Sequence, residues 1–278
     1  MNRMRVAGVL ACLVPMGAIT AAVTTYQSEI AQWRRQREAS LRRDGGWLTV
    51  TGLFWLHEGV NRFGTSAGND IVLPAGPAEA GVFELRKGKV EAKSGGNTRE
   101  VRADTDEFVQ MGRLRLYVIQ RGDRTAIRLK DPDSSFLRDF HGLEYFPARE
   151  EYRVTARFVA EPRKISIANI VGQSELDESP GYAVFQLHGR EFRLYPVLEE
   201  PGAKELFFIF RDQTAGKETY GAGRFLYTEL PKDGQVVLDF NKAYNPPCAF
   251  TPYATCPLPP SQNRLAVRIE AGEQKYGH

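Results

Sequence analysis

The run Trp47-Leu48-Thr49-Val50-Thr51-Gly52-Leu53-Phe54-Trp55-Leu56 decides the fold class. It is dense in β-branched and aromatic residues, which suit a pleated, half-buried surface, and Glu58-Gly59 breaks it. Short apolar runs recur at 71–73, 82–85, 89–92, 114–119 and 125–129, between loops such as Gly95-Gly96-Asn97 and Arg121-Gly122-Asp123. No amphipathic helix separates these runs, so the spacing predicts a sandwich or barrel rather than alternating helices and parallel strands.

Working outward, Asp131-Pro132-Asp133-Ser134-Ser135 reads as a turn, and residues 136–145 hold a short helical piece or a strand. Phe146-Pro147 and the acidic residues after it mark a boundary near residue 150. Beyond it Tyr152, Val154, Ala156 and Phe158 alternate onto one face of a strand. Further strands are expected at 164–170, 181–187, 191–196, 205–211, 224–228 and 235–240, with hairpin turns at His188-Gly189 and Asp233-Gly234. Upstream, residues 26–43 contain no Gly or Pro; Ile30, Trp33, Arg37 and Leu41 form one helical stripe, and Asp44-Gly45-Gly46 ends the helix.

At the N-terminus Arg3 and Arg5 precede an apolar run over 6–23, with small residues at Ala18, Thr20, Ala21 and Ala22. This is the pattern of an export signal, with an uncleaved single-pass anchor as the alternative, although Pro15 and Gly17 weaken such a helix. Cys12 invites a lipoprotein reading, but the apolar residues before it span only 6–11, shorter than a signal core of about 7–15 residues. The expected organisation is a signal peptide or membrane anchor over 1–25, a helix over 26–46, a sandwich-like β subdomain over 47–150 and a second β subdomain over 151–278. The whole is mainly β, sandwich- or barrel-like, with one N-terminal helix and a periplasmic or extracellular location.

The 278 residues carry a net charge of +3, spread along the chain. That disfavours a dedicated nucleic-acid binder, which concentrates its basic residues on one face or arm. With the leader removed, Cys248 and Cys256 remain, an even pair that predicts a disulfide in an exported protein. Closing so short a loop is worth about 2–3 kcal/mol. Two cysteines make a poor zinc site, and His57, His141, His188 and His278 form no HxH or HxxxH pair, so no metal is expected. Nucleophile-elbow, P-loop and dinucleotide fingerprints are absent, and no cofactor is expected. Phe63-Gly64 with Asn69-Asp70-Ile71 is similar to the opening of a forkhead-associated sandwich. The arginine and Ser-x-x-His that would hold a phosphothreonine are missing, however, since Thr65 follows Gly64.

Residues 211–263 concentrate the polar side chains. Arg211 and Asp212 end an apolar strand, Thr214, Thr219, Tyr220 and Arg224 follow, and Asp239, Asn241, Tyr244 and Asn245 follow the next strand. If they converge, they form a site for a small polar molecule, the favoured reading, or for hydrolase-like chemistry with Asp212 or Asp239 as base and Arg224 as anion clamp. Turn-forming and loop-tying residues in a purely structural envelope protein are the third reading. The chain resembles the DUF1684 family of bacterial and archaeal proteins. The resemblance rests on Gly46-Trp47 through Leu56 with Phe63-Gly64, on Arg211 through Leu226, and on Asp239 through Cys248 with Cys256 through Asn263. It extends from about Tyr26 to the Ala271-Gly272-Glu273-Gln274-Lys275 end. The family is uncharacterised, so the resemblance implies that these motifs act as one unit and implies no reaction.

Overall fold

Helix α1 (Gly17–Arg42) opens the part of the chain that the computed structural model describes, residues 17–277 with side chains from residue 25. The expected leader lies outside the described residues from 1 to 16, Cys12 included. The helix begins within the expected leader and ends where Asp44-Gly45-Gly46 predicted, with Tyr26, Ile30 and Leu41 buried. Among the described residues no helix is long and apolar enough to cross a membrane.

Nine strands follow: β1 (Val50–Trp55), β2 (Gly59–Gly64), β3 (Ile71–Val72), β4 (Gly81–Arg86), β5 (Lys89–Ser94), β6 (Asn97–Glu100), β7 (Phe108–Met111), β8 (Leu114–Arg121) and β9 (Arg124–Lys130). They make two open sheets, ordered β1-β9-β8-β7 and β3-β2-β4-β5-β6. Alternation turns Leu114 and Leu116 of β8 and Ile127 and Leu129 of β9 toward Phe63, Phe83 and Leu85 of the other sheet. Fully burying side chains of this size contributes about 1.5–3 kcal/mol each.

A short helix, α2 (Ser135–Arg138), is capped by Ser134, whose Oγ accepts the Phe136 N–H at 3.1 Å. Then come β10 (Arg153–Ala168), β11 (Ser174–Leu187), β12 (Arg190–Leu194), β13 (Glu205–Phe210), β14 (Arg224–Glu229) and β15 (Gln235–Asp239). They form the sheet β12-β11-β10-β15 and the ribbon β13-β14. Every sheet has two free ends, so among the described residues no barrel closes. The two strands expected at 152–159 and 164–170 are one, with the register shift between Ala160 and Arg163 falling at Pro162, which has no N–H for the ladder. The turns at His188-Gly189 and Asp233-Gly234 have φ of 50° and 72° and of 51° and 71°, the type I′ form that two-residue hairpins use.

The apolar run of β13 is buried on both faces. Leu206, Phe208 and Phe210 enter the core under the β12-β11-β10-β15 sheet, while Phe207 and Ile209 face a second cluster with Ile165, Ile167, Phe225 and Cys256. Beyond Asp239 the chain makes only short 3₁₀ turns. Its Pro-rich arm threads between the halves: Thr251 Oγ1 donates to Val50 O at 2.9 Å, Ile170 N to Cys256 O at 3.0 Å, and Leu258 N to Ala168 O at 2.7 Å.

Candidate functional site

The ten candidate ligand residues separate into several hydrogen-bonded sets. Asp212 accepts from Thr214 Oγ1 at 2.9 Å, from Ile269 N at 2.7 Å and from Arg224 Nη2 at 3.3 Å. Thr214 and Thr219 share a hydroxyl contact at 2.8 Å. Arg224, with a side chain 1% exposed, donates onward to Ile269 O at 2.9 Å and to Ala271 O. This network ties β13, β14 and the C-terminal segment together inside the core. Asp239 and Asn241 form a second set with α1: Tyr26 donates to Asp239 Oδ1 at 3.0 Å, and Asn241 Nδ2 donates to Tyr26 Oη and to Arg149 O, both at 2.8 Å. Burial, with the Asp239 carboxylate behind it, pushes the Tyr26 phenol up. Asn245 accepts nothing at its side-chain oxygen; its backbone N–H donates to Glu273 Oε2 at 2.7 Å. Tyr220 Oη donates to Cys248 O at 3.1 Å, and Arg211 is exposed. Asp212 thus meets Arg224, while Asp239 and Asn241 bond elsewhere.

Cys248 and Cys256 are free thiols in this structure, with the Cys248 N–H donating to Cys256 Sγ at 3.1 Å. The expected disulfide is therefore not formed here, although the two residues are neighbours. Burial and the contact with Cys248 hold the Cys256 thiol far above its ordinary range, the Cys248 contact being the larger cause.

Of the ten, only Tyr244 lines a cavity of about 460 Å³ where α1, the N-terminal sandwich, the β13-β14 ribbon and the Pro-rich arm meet. One wall is aromatic. Phe207 and Tyr227 stack at 4.7 Å and 17°, and Tyr227 and Tyr244 lie nearly parallel at 6.3 Å and 11°. The rest of the lining is basic, with Arg121, Arg128 and Lys130 from β8 and β9 and Arg37 and Arg43 from α1 and its end, Arg37 lying 4.5 Å from the Tyr244 ring centre. Arg37 is balanced by buried Glu273 at 2.8 Å, and Arg121 by Asp104 at 2.9 Å.

Arg128 has no such balance. It is 7% exposed, forms no ion pair among the described residues, and leaves its Nε without a hydrogen-bond partner. Its guanidinium lies 5.0 Å from the Trp47 ring centre and donates through Nη2 to Thr255 Oγ1 at 3.3 Å. Arg121 Nε donates to the same oxygen at 2.9 Å. A hydroxyl has two acceptor lone pairs and one proton, so both lone pairs are engaged and the Thr255 proton is left to donate. Burial, reinforced by Arg121, pushes Arg128 down to about 10. Lys130, whose Nζ donates to Gly45 O at 2.8 Å, is lowered by burial and then by Arg128, Arg43 and Arg115. Positive charges crowd this lining, and Glu199, hydrogen-bonded by Tyr227 at 2.7 Å, is the carboxylate among them.

Sequence reasoning missed this cavity. The available signal was the alternation of β9, which sets Arg124, Ala126, Arg128 and Lys130 on one face and Thr125, Ile127 and Leu129 on the other. A basic face reads as a solvent face, yet Arg128 is 7% exposed, with Thr255 of the Pro-rich arm bonded to it.

The family model DUF1684, described as a protein of unknown function, matches residues 138–274. The motifs at 46–64 lie outside that match. The solution NMR structure of an uncharacterized protein of Haloarcula marismortui is similar at 32% identity, over 52% of this chain and 82% of that chain, with a TM-score of 0.43. No curated protein matches the chain.

Proposed function

Because the chain belongs to the DUF1684 family, whose function is unknown, we propose its role from the cavity alone: it binds a small molecule with a phosphate or carboxylate head and a flat apolar body. The observation that carries this reading is Arg128, a cation 7% exposed that forms no ion pair among the described residues and lines a cavity of about 460 Å³. Burying an unpaired charge costs several kcal/mol, and such residues are retained where a partner arrives from outside. The volume falls in the usual range of about 300–1,000 Å³ for ligand pockets. After Arg37 and Arg121 are set aside with their partners, Arg43, Arg128 and Lys130 share the lining with one carboxylate, Glu199. That surplus favours a head with more than one negative charge. The ring stack of Phe207, Tyr227 and Tyr244 supplies the surface for the apolar body. Hydrolysis by Asp212 or Asp239 forms no part of this proposal, because both carboxylates are buried away from the cavity, Asp212 bonded by the Ile269 N–H and Arg224, and Asp239 through Oδ1 by Tyr26 and Asn241.

We extend the proposal to the cell envelope. The basic and apolar N-terminus supports export, and the proximity of Cys248 and Cys256 supports a disulfide once the chain meets an oxidising compartment.

Titrating the full chain with phenyl phosphate, followed by calorimetry and tryptophan fluorescence, tests the binding. We expect saturable binding, weakened about ten-fold or more in Arg128→Met and unchanged in Arg102→Met, a residue paired with Glu107 on the far sandwich surface. Absence of binding by both phenyl phosphate and inorganic phosphate overturns the reading.

A further inference from the structure

The basic cavity does not end at Arg121. A second cavity of about 300 Å³ shares Arg121, Glu199, Phe207, Thr255 and Pro257 with it and continues to Glu175 and Asp177 on β11. The two are one groove with opposite electrical ends. At the first end Arg128 is buried and unpaired, and Thr255, 7% exposed and common to both cavities, has a proton left to donate. At the second end Glu175, Asp177 and Glu199 form no ion pair among the described residues. Glu175 accepts the Gly122 N–H at 3.0 Å and Glu199 the Tyr227 hydroxyl at 2.7 Å, and both keep acceptor capacity.

We infer that the ligand is bipolar, with its anionic head at Arg128 and Lys130 and a primary ammonium at Asp177 and Glu199. This inference rests on the anion-binding reading above and adds the ligand's other end. The basic surplus gathers at one end, Arg128 with Lys130, and the acidic surplus at the other, Glu175 with Asp177, while Arg121 and Glu199 line both cavities at the junction, where Arg121 is committed to Asp104 at 2.9 Å. Burial raises the Asp177 carboxyl, and Glu175 and Glu199 raise it further, which is the response of an acid crowded by like charges; an ammonium relieves it. Among the described residues no group of three or more His, Cys, Asp and Glu is gathered to hold a metal ion, whereas an ammonium, with three N–H donors, needs only the free acceptor positions of these carboxylates. The faces of Phe207 and Tyr227 between the ends also favour a cationic chain passing over them.

The test compares two phosphate monoesters of matched length, 3-aminopropyl phosphate and butyl phosphate, by calorimetry at low salt with the full chain. We expect the amine to bind about five- to ten-fold more tightly. That preference should vanish in Asp177→Asn, with butyl phosphate affinity unchanged, and should shrink in Glu199→Gln. Equal affinity for the two esters, lost in Arg128→Met, overturns the bipolar ligand and leaves the anion site standing. A preference that survives both substitutions also overturns it. If neither ester binds and phenyl phosphate fails as well, the anion reading falls and this inference falls with it.

Discussion

Asp212 and Arg224, each with a side chain 1% exposed, show what a paired buried charge does in this protein. Asp212 gathers a guanidinium, a hydroxyl and the Ile269 N–H, so removing it strands Arg224 in the core. Asp212→Ala should lower the unfolding free energy by about 3–5 kcal/mol, read from urea midpoints; a wild-type midpoint contradicts the structural role. Asp131 gives a pH-dependent counterpart. Burial pushes its carboxyl up, but Arg113, bonded through Nε at 2.7 Å and Nη2 at 3.0 Å, and the Asp133 N–H outweigh this and hold it below the usual range. A carboxyl depressed in the folded state stabilises above its unfolded pKa of about 3.9 and loses that contribution as pH falls through the folded value. The effect is about 1 kcal/mol after screening, since Arg113 is 45% exposed. Asp131→Asn should therefore cost that much near pH 6 and almost nothing near pH 2.

At the scale of elements, the C-terminal segment depends on Gly272. Its φ is +79°, and a Cβ there would lie 2.3 Å from Ala243 O and 2.8 Å from Phe240 O, both backbone atoms that cannot move aside. Gly272→Ala should destabilise by more than about 2 kcal/mol in thermal or urea unfolding. It should also loosen Glu273, which holds Arg37 of α1. The Pro-rich arm carries the other element-scale expectation. For protein recovered from an oxidising compartment, reductant should lower stability by about 2–3 kcal/mol and have no effect on Cys248→Ser. Equal midpoints with and without reductant remove the disulfide. The strands least visible beforehand were β2, β6, β7 and the first half of β11. In Ser174–Pro180 most side chains are exposed, with Leu176 67% exposed, so no buried face imposes an apolar alternation to read.

For the whole molecule, the two halves share their boundary closely. The arm bonds to β1 through Thr251, Arg121 reaches Thr255, Gly122 bonds to Glu175, and α1 holds Asp239 and Glu273 while packing Leu41 with Phe140 and Phe250. Folding of one half then depends on the other, and urea unfolding should show one transition. Tryptophan fluorescence, reporting Trp33, Trp47 and Trp55 on α1 and the first sandwich, should coincide with far-ultraviolet circular dichroism, which reports both halves. Two separated transitions would show independently stable subdomains.

Local pattern was enough to determine the mainly β character, the end of α1, the I′ turns and the strand faces, because each follows from residue type and a period of two or 3.6 within one segment. It also marked Asp212, Arg224, Asp239 and Asn241 as unusual, but not that they bond inward to parts of the chain distant in sequence. Only tertiary structure decided that. The same holds for the groove: alternation places Arg128 and Lys130 together on β9, and only the packing of the arm and the β13-β14 ribbon around that face turned one of those cations, Arg128, into a buried charge with no ion pair among the described residues. Charge is written in the sequence, whereas desolvation depends on what covers it.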